Sequence, residues 1–235
     1  MSAPAFQVQT PEVVACMSNV IDMDQMNGCF QATGGWWFAY DNAGYSPDIT
    51  ANFDPIDRND DGTWKLITVD YMDGSIIPGG NLVEGVGLMV TMSTTGVDVQ
   101  NPGEVGIGFN WTKTETPIDI SAHGGFCISY TISGDPIQMV LGWEDRTYGY
   151  DEYYYELRSG SRVLDISWNM FQNEGWGQQS GYSGTLETAR ERSIGLRFRI
   201  FNSTSTEMRS TFVIHSLGWL GECGSSSSSS TSGGY

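Results

Sequence analysis

The sequence predicts an all-β protein, a sandwich or barrel of short antiparallel strands with at most one short helix. Three observations lead there. Apolar and polar residues alternate with period two over many stretches of strand length. Turn-forming clusters separate those stretches, helped by 30 glycines in 235 residues. The large side chains are the strand-favouring aromatics, with 8 Trp, 11 Tyr and 10 Phe.

In chain order, strands are expected over 20–23, 36–40, 64–71, 85–92, 105–111, 125–132, 137–143, 153–157, 162–166, 194–201 and 210–219. Between them fall DNAGYSPD, DRNDDG, IPGGN, QNPGE and ISGDP, each rich in the residues that turns require. TLETARER, residues 185–192, is the one helical segment and spans about two turns. No internal repeat is visible. One domain is expected over 14–222, with a short lead, 1–13, and a Ser/Gly-rich linker, 223–235.

Alternation sorts the faces of three strands. In GLRFRIF, Leu196, Phe198 and Ile200 face inward, while Arg197 and Arg199 mark an exposed sheet face, where surface acids are their ordinary partners. FVIHSLGW is apolar on both sides, as a central strand is. GGWWFAYDN divides into Trp36, Phe38 and Tyr40 against Trp37, Ala39 and Asp41. The second set contains a charge and a small residue, so it is expected outside, with Trp36 and Phe38 in the core.

Charge narrows the partners. A formal charge of −17 and a pI near 4.2 argue against nucleic acid or an anionic membrane surface, both of which need a basic face. No run of about 18 apolar residues occurs, the length a membrane-crossing helix needs. The first residues have neither the basic nor the apolar region of a signal peptide. The Ser/Gly tail resembles linkers of secreted modular proteins, so a module of a longer exported chain is expected, secreted or on the cell surface, joined to other domains through that linker. Four cysteines without a CxxC pair fit two disulfides in an oxidising compartment. Three connectivities are open. Closeness of domain termini favours Cys16–Cys223 with Cys29–Cys127.

Hydrolytic and metal chemistry have thin support. Glu144/Asp145 and Asp151/Glu152 are sequence neighbours, so on a strand they point to opposite faces and cannot flank one glycosidic bond. Two histidines, neither near a GxSxG elbow, leave little for a catalytic triad. DRNDDG places Asp57, Asn59 and Asp61 at the spacing of a calcium loop, but Thr68 stands where the bidentate acid belongs and a strand follows. A structural Ca2+ at those three residues, or at Asp22, Asp24 and Asp41, is an alternative to a plain polar hairpin.

The aromatic loops carry the clearest signal. TYGYDEYYYEL puts Tyr153 and Tyr155 on one face and Tyr154 and Glu156 on the other. WNMFQNEGWGQQSGY sets Trp176 and Tyr182 among Glu174, Gln178 and Gln179 in a glycine-rich stretch. Aromatic planes with a polar handle match the apolar faces and hydroxyl fringes of sugar rings, and amides and carboxylates fix the hydroxyls. The bland alternative is that these aromatics cover the ends of the sandwich.

GGWWFAYD, PIDISAHGGFCISYTI with IQMVLGW, and the run from DISWNMF through LETARERSIGLRFRIF to STFVIHSLGWLG resemble family 11 carbohydrate-binding modules of exported plant-fibre-degrading proteins. The resemblance implies a jelly-roll sandwich that binds β-glucan in a cleft without cleaving it. By position it implies Tyr40 and Asp151 as cleft residues, with Glu174 and Trp176 standing where the family has an Arg/Asp/Tyr loop. The expected function is therefore non-catalytic binding of plant cell-wall β-glucan, cellulose or mixed-linkage, that targets an attached domain. The expected binding residues are Trp37, Tyr40, Asp151, Tyr153, Tyr155, Glu174, Trp176, Gln178 and Tyr182. A β-sandwich glycoside hydrolase and a structural or adhesive surface domain are the alternatives.

Overall fold

A computed structural model describes residues 21–22, 37–54, 67–69, 76–78, 82–83, 87–98, 100–111, 116–143, 152–175 and 184–223. Its strands are β1 (Ile21–Asp22), β2 (Trp37–Asp41), β3 (Thr50–Asp54), β4 (Ile67–Val69), β5 (Ile76–Pro78), β6 (Leu82–Val83), β7 (Gly87–Thr95), β8 (Gly103–Asn110), β9 (Gly125–Gly134), β10 (Ile137–Trp143), β11 (Tyr153–Leu157), β12 (Gly160–Ser167), β13 (Gln172–Asn173), β14 (Ser193–Asn202) and β15 (Met208–Trp219). A helix, α1 (Leu186–Glu191), is the only α-helix among the described residues.

The strands form two antiparallel sheets in a jelly-roll sandwich. One has the order β12-β9-β15-β7-β3, with β1 on β15 and β6 on β7; the other runs β13-β11-β10-β14-β8-β2. β4 and β5 form a separate two-stranded hairpin. Consecutive strands lie in different large sheets at β1–β2, β2–β3, β7–β8, β8–β9, β9–β10, β11–β12, β12–β13 and β14–β15. Each crossing lets alternate residues of both strands meet in one core.

That core is built as alternation requires. Phe212, Ile214, Leu217 and Trp219 of β15 meet Leu196, Phe198 and Ile200 of β14, and all seven are buried. β15, apolar on both sides in sequence, is the middle strand of its sheet. One end of the core is aromatic. Trp111 stacks on Phe126 and Trp219, meets Phe109 edge-on, and donates its indole N–H to Ser193 Oγ at 2.7 Å. Helix α1 closes that end. Thr185 caps it by accepting the Thr188 N–H, Glu187 lies in its first turn and Arg190 in its last, and Ala189 is buried.

Three expectations change. Phe38 does not enter the core; Ala39 packs there instead. The neighbouring strand β8 explains the reversal, because Ile107 and Phe109 fill the inner face opposite Ala39 and Trp37 and leave room for a methyl at Ala39. Thr50–Asp54, absent from the expected strands, pairs with β7 over its whole length. Third, the disulfide joins Cys127 to Cys223, not to Cys29. Cys16 and Cys29 lie outside the described residues. The Cys127–Cys223 bond spans 96 residues and ties β9 to the turn after the last strand. Replacing both cysteines with alanine is expected to lower unfolding free energy by about 2–4 kcal/mol, read as a shift in urea midpoint at unchanged m-value.

Candidate functional site

The outer face of the six-stranded sheet carries a cluster of charged and aromatic side chains placed by strand register. Arg197 and Arg199 sit on β14 opposite Gly108 and Gly106 of β8 and opposite Val140 and Gln138 of β10. At the edge, Phe38 and Tyr40 of β2 pair with the same two glycines. A Cβ at Gly106 would stand 2.8 Å from the Tyr40 ring, and one at Gly108 would stand 3.0 Å from Phe38 Cζ. The two rings therefore lie across bare backbone, 5.9 Å apart, in a space that any side chain on β8 would fill. On the far side Tyr154 lies opposite Val140 and Gln172, its hydroxyl 3.5 Å from Gln172 Oε1.

Between the two aromatic ends the arginines are covered by carboxylates from three elements. Arg199 donates its Nε–H to Gln138 Oε1 at 2.9 Å and Nη1 to Glu104 at 3.1 Å and Glu152 at 3.3 Å. Its Nη2 donates to Glu174, and Arg197 Nη2 donates to Glu152. The Arg199 guanidinium also lies 5.1 Å from the Phe201 ring centre. Arg199 is only 3% exposed, so the face expected to carry solvated arginines carries a buried ion-pair network. The reason is local: Glu152 and Glu174 stand at the ends of β11 and β13, where Glu174 N–H bonds to Glu152 O, and both project over β14. Although burial opposes its charge, Arg197 is held above its ordinary pKa by Glu152, Tyr40 and Glu104.

Tyr40 sits at the inner edge of this network. Its hydroxyl is buried without a hydrogen-bond partner among the described residues. Burial, then the Glu104 charge, pushes the phenol well above its ordinary range. A raised phenol pKa means the unfolded chain loses this proton first, so stability is full below pH 10 and falls as pH rises beyond it. Tyr40→Phe is expected to flatten that alkaline loss and leave neutral-pH stability unchanged or higher; thermal melts from pH 8 to 11.5 measure it.

The sequence-derived site residues divide as follows. Glu174 belongs to this network, and Tyr40 lies beside its Glu104, Glu152, Arg197 and Arg199 charges. Tyr153 and Tyr155 pair with Leu141 and Met139 and pack against the core; the Tyr153 hydroxyl donates to Gly184 O at 2.7 Å, and Tyr155 meets Phe171. Trp37 is described as a strand position opposite Phe109. Asp151, Trp176, Gln178 and Tyr182, with Asp57, Asn59 and Asp61, lie outside the described residues. Among the described residues no group of three or more His, Cys, Asp or Glu is arranged to hold a metal ion. Of the second calcium set, Asp41 accepts the Ala43 N–H at 2.9 Å.

The sequence reading missed Phe38, Glu104, Gln138, Glu152 and Tyr154. The signal for them was present in GEVGIGFN, whose glycines at 106 and 108 alternate with Val105, Ile107 and Phe109. Glycine at two successive outward positions of a strand marks a face where something else lies close.

No protein-family model matches the chain, and no curated protein matches it. Among solved structures the chain is similar to the family 11 carbohydrate-binding module of the cellulosomal cellulase Lic26A-Cel5E of Clostridium thermocellum, at 14% identity over 76% of this chain and 86% of that one, with TM-score 0.39. A family 11 module from Clostridium thermocellum in complex with a β-1,3-1,4-mixed-linked tetrasaccharide is similar at 13% identity over 78% and 89%, TM-score 0.37. An exo-β-agarase is similar at 7% identity over 77% of this chain and 24% of that chain, TM-score 0.34.

Proposed function

We propose that the chain is a non-catalytic carbohydrate-binding module whose outer six-stranded face binds plant cell-wall β-glucan, cellulose or mixed-linkage, and so targets an attached domain outside the cell. One observation supports this most: Phe38 and Tyr40 at one end of the face and Tyr154 at the other flank a preorganised fan of carboxylate, amide and guanidinium groups. The rings supply apolar planes for pyranose C–H faces. The fixed polar groups supply hydroxyl partners whose rotamers are already ordered by one another, which lowers the entropic cost of binding.

Catalysis is a poorer fit to the same groups. A glycosidase needs two carboxyl groups flanking a scissile bond. Here both oxygens of Glu152 and one oxygen each of Glu104 and Glu174 are engaged by guanidinium donors. Binding carried by stacking and hydrogen bonds to a neutral chain releases few ions, so affinity should change little with salt.

Affinity electrophoresis on a panel of soluble polysaccharides tests the proposal, with reducing-sugar release measured in parallel. Retardation by a β-glucan without release of reducing ends supports it; release of reducing ends refutes it. Tyr154→Ala is expected to weaken retention about tenfold, or about 1.4 kcal/mol, at nearly unchanged melting temperature.

A further inference from the structure

The same face carries a charge imbalance that selects among sugar chains. Among the described residues three carboxylates, Glu104, Glu152 and Glu174, surround two guanidiniums, Arg197 and Arg199, an excess of one negative charge in a network that is largely out of water. The donors of Arg199 are directed at Gln138 and the three glutamates. Tyr40, held as neutral phenol, adds no positive charge. A ligand hydroxyl can donate to the remaining carboxylate lone pairs. A ligand carboxylate brings a fourth anion to a cluster whose most buried cation is already surrounded, and like charges at such a site are strongly disfavoured.

We propose that this network is a specificity filter, building on the carbohydrate-binding reading above: it accepts a neutral pyranose chain and rejects the same chain carrying carboxylates at C6. Glu174 is the specificity-determining residue. It directly follows the short edge strand β13, which is held by two backbone pairings, and it supplies the third carboxylate. Removing its charge leaves two carboxylates for two guanidiniums and restores balance.

The long-range repulsion of a chain with charge −17 must be separated from this local effect. Salt does so, because at 1 M the screening length is about 3 Å, which silences distant charges but not groups in contact. Isothermal titration in 1 M NaCl compares cellohexaose with the β-1,4-glucuronan hexamer, which has the same backbone with carboxylates at C6. The wild-type chain is expected to bind the neutral hexamer at least about tenfold more tightly. Glu174→Gln is expected to narrow that ratio severalfold, with uronate binding gaining relative to neutral binding. Equal wild-type affinities in 1 M salt, or an unchanged ratio in Glu174→Gln, overturn the filter while leaving the binding face intact. Binding to neither hexamer overturns both readings.

Discussion

Replacing Arg199 with alanine is expected to lower unfolding free energy by about 3–5 kcal/mol, among the largest effects of any single change in this chain. The guanidinium is 3% exposed and bonds to Gln138, Glu104, Glu152 and Glu174. Without it, three carboxylates face one another across β14 with Arg197 as their remaining cation. Each has been partly removed from water, and uncompensated buried charge is far more costly than an intact pair is beneficial. Arg199→Lys should recover little, because one ammonium cannot present donors in the fork that reaches four partners. A combined Arg199→Met, Glu104→Gln, Glu174→Gln chain should be more stable than Arg199→Ala, since it removes the orphaned charges as well as their partner. Urea denaturation of the three variants gives the comparison. A midpoint for Arg199→Ala within error of wild type would show that the network contributes nothing to folding.

Trp111→Ala should destabilise by a similar amount, about 3–5 kcal/mol. The indole is 2% exposed, stacks against Phe126 and Trp219, and holds Ser193 Oγ through its N–H. Ser193 Oγ in turn lies 3.2 Å from Gly142 O, so the change opens a cavity and disturbs a polar pair in a dry core. Because Trp111 follows β8 directly and Ser193 opens β14, the loss lies at the ends of the strands that carry Gly106, Gly108, Arg197 and Arg199. Trp111→Phe keeps part of the volume and should cost less than half as much. Thermal melts with near-ultraviolet circular dichroism separate loss of packing from loss of fold. Equal stability of the alanine and phenylalanine variants would contradict the packing account.

Much of the fold was legible because it rests on period two. GLRFRIF is long enough for alternation to state which residues face the core, and the structure has Leu196, Phe198 and Ile200 there. TLETARER was read as the one helical segment, and α1, Leu186–Glu191, lies within it. The site was less so, because a strand's own pattern does not say which face its partner leaves empty. Phe38 and Ala39 exchanged roles for that reason: the vacancy over Gly106 and Gly108 belongs to β8, not to β2. Burial of the arginines was equally invisible, since Glu104, Glu152 and Glu174 come from points in the chain 48 and 22 residues apart and converge only through sheet order. Tyr153 and Tyr155 were correctly placed on a shared face, but choosing between inside and outside needed the register with β10.

The central claim is that sugar binds the outer face of the six-stranded sheet. Its most direct measurement is a titration of the isotope-labelled chain with cellohexaose, following amide and aromatic-ring NMR shifts. Shifts grouped on Phe38, Tyr40, Gly106, Gly108, Arg197, Gln138 and Tyr154, with Thr131, Val163 and Thr211 of the other sheet unmoved, are the predicted result. Shifts grouped on Thr131, Val163 and Thr211, or none at millimolar cellohexaose, would contradict it.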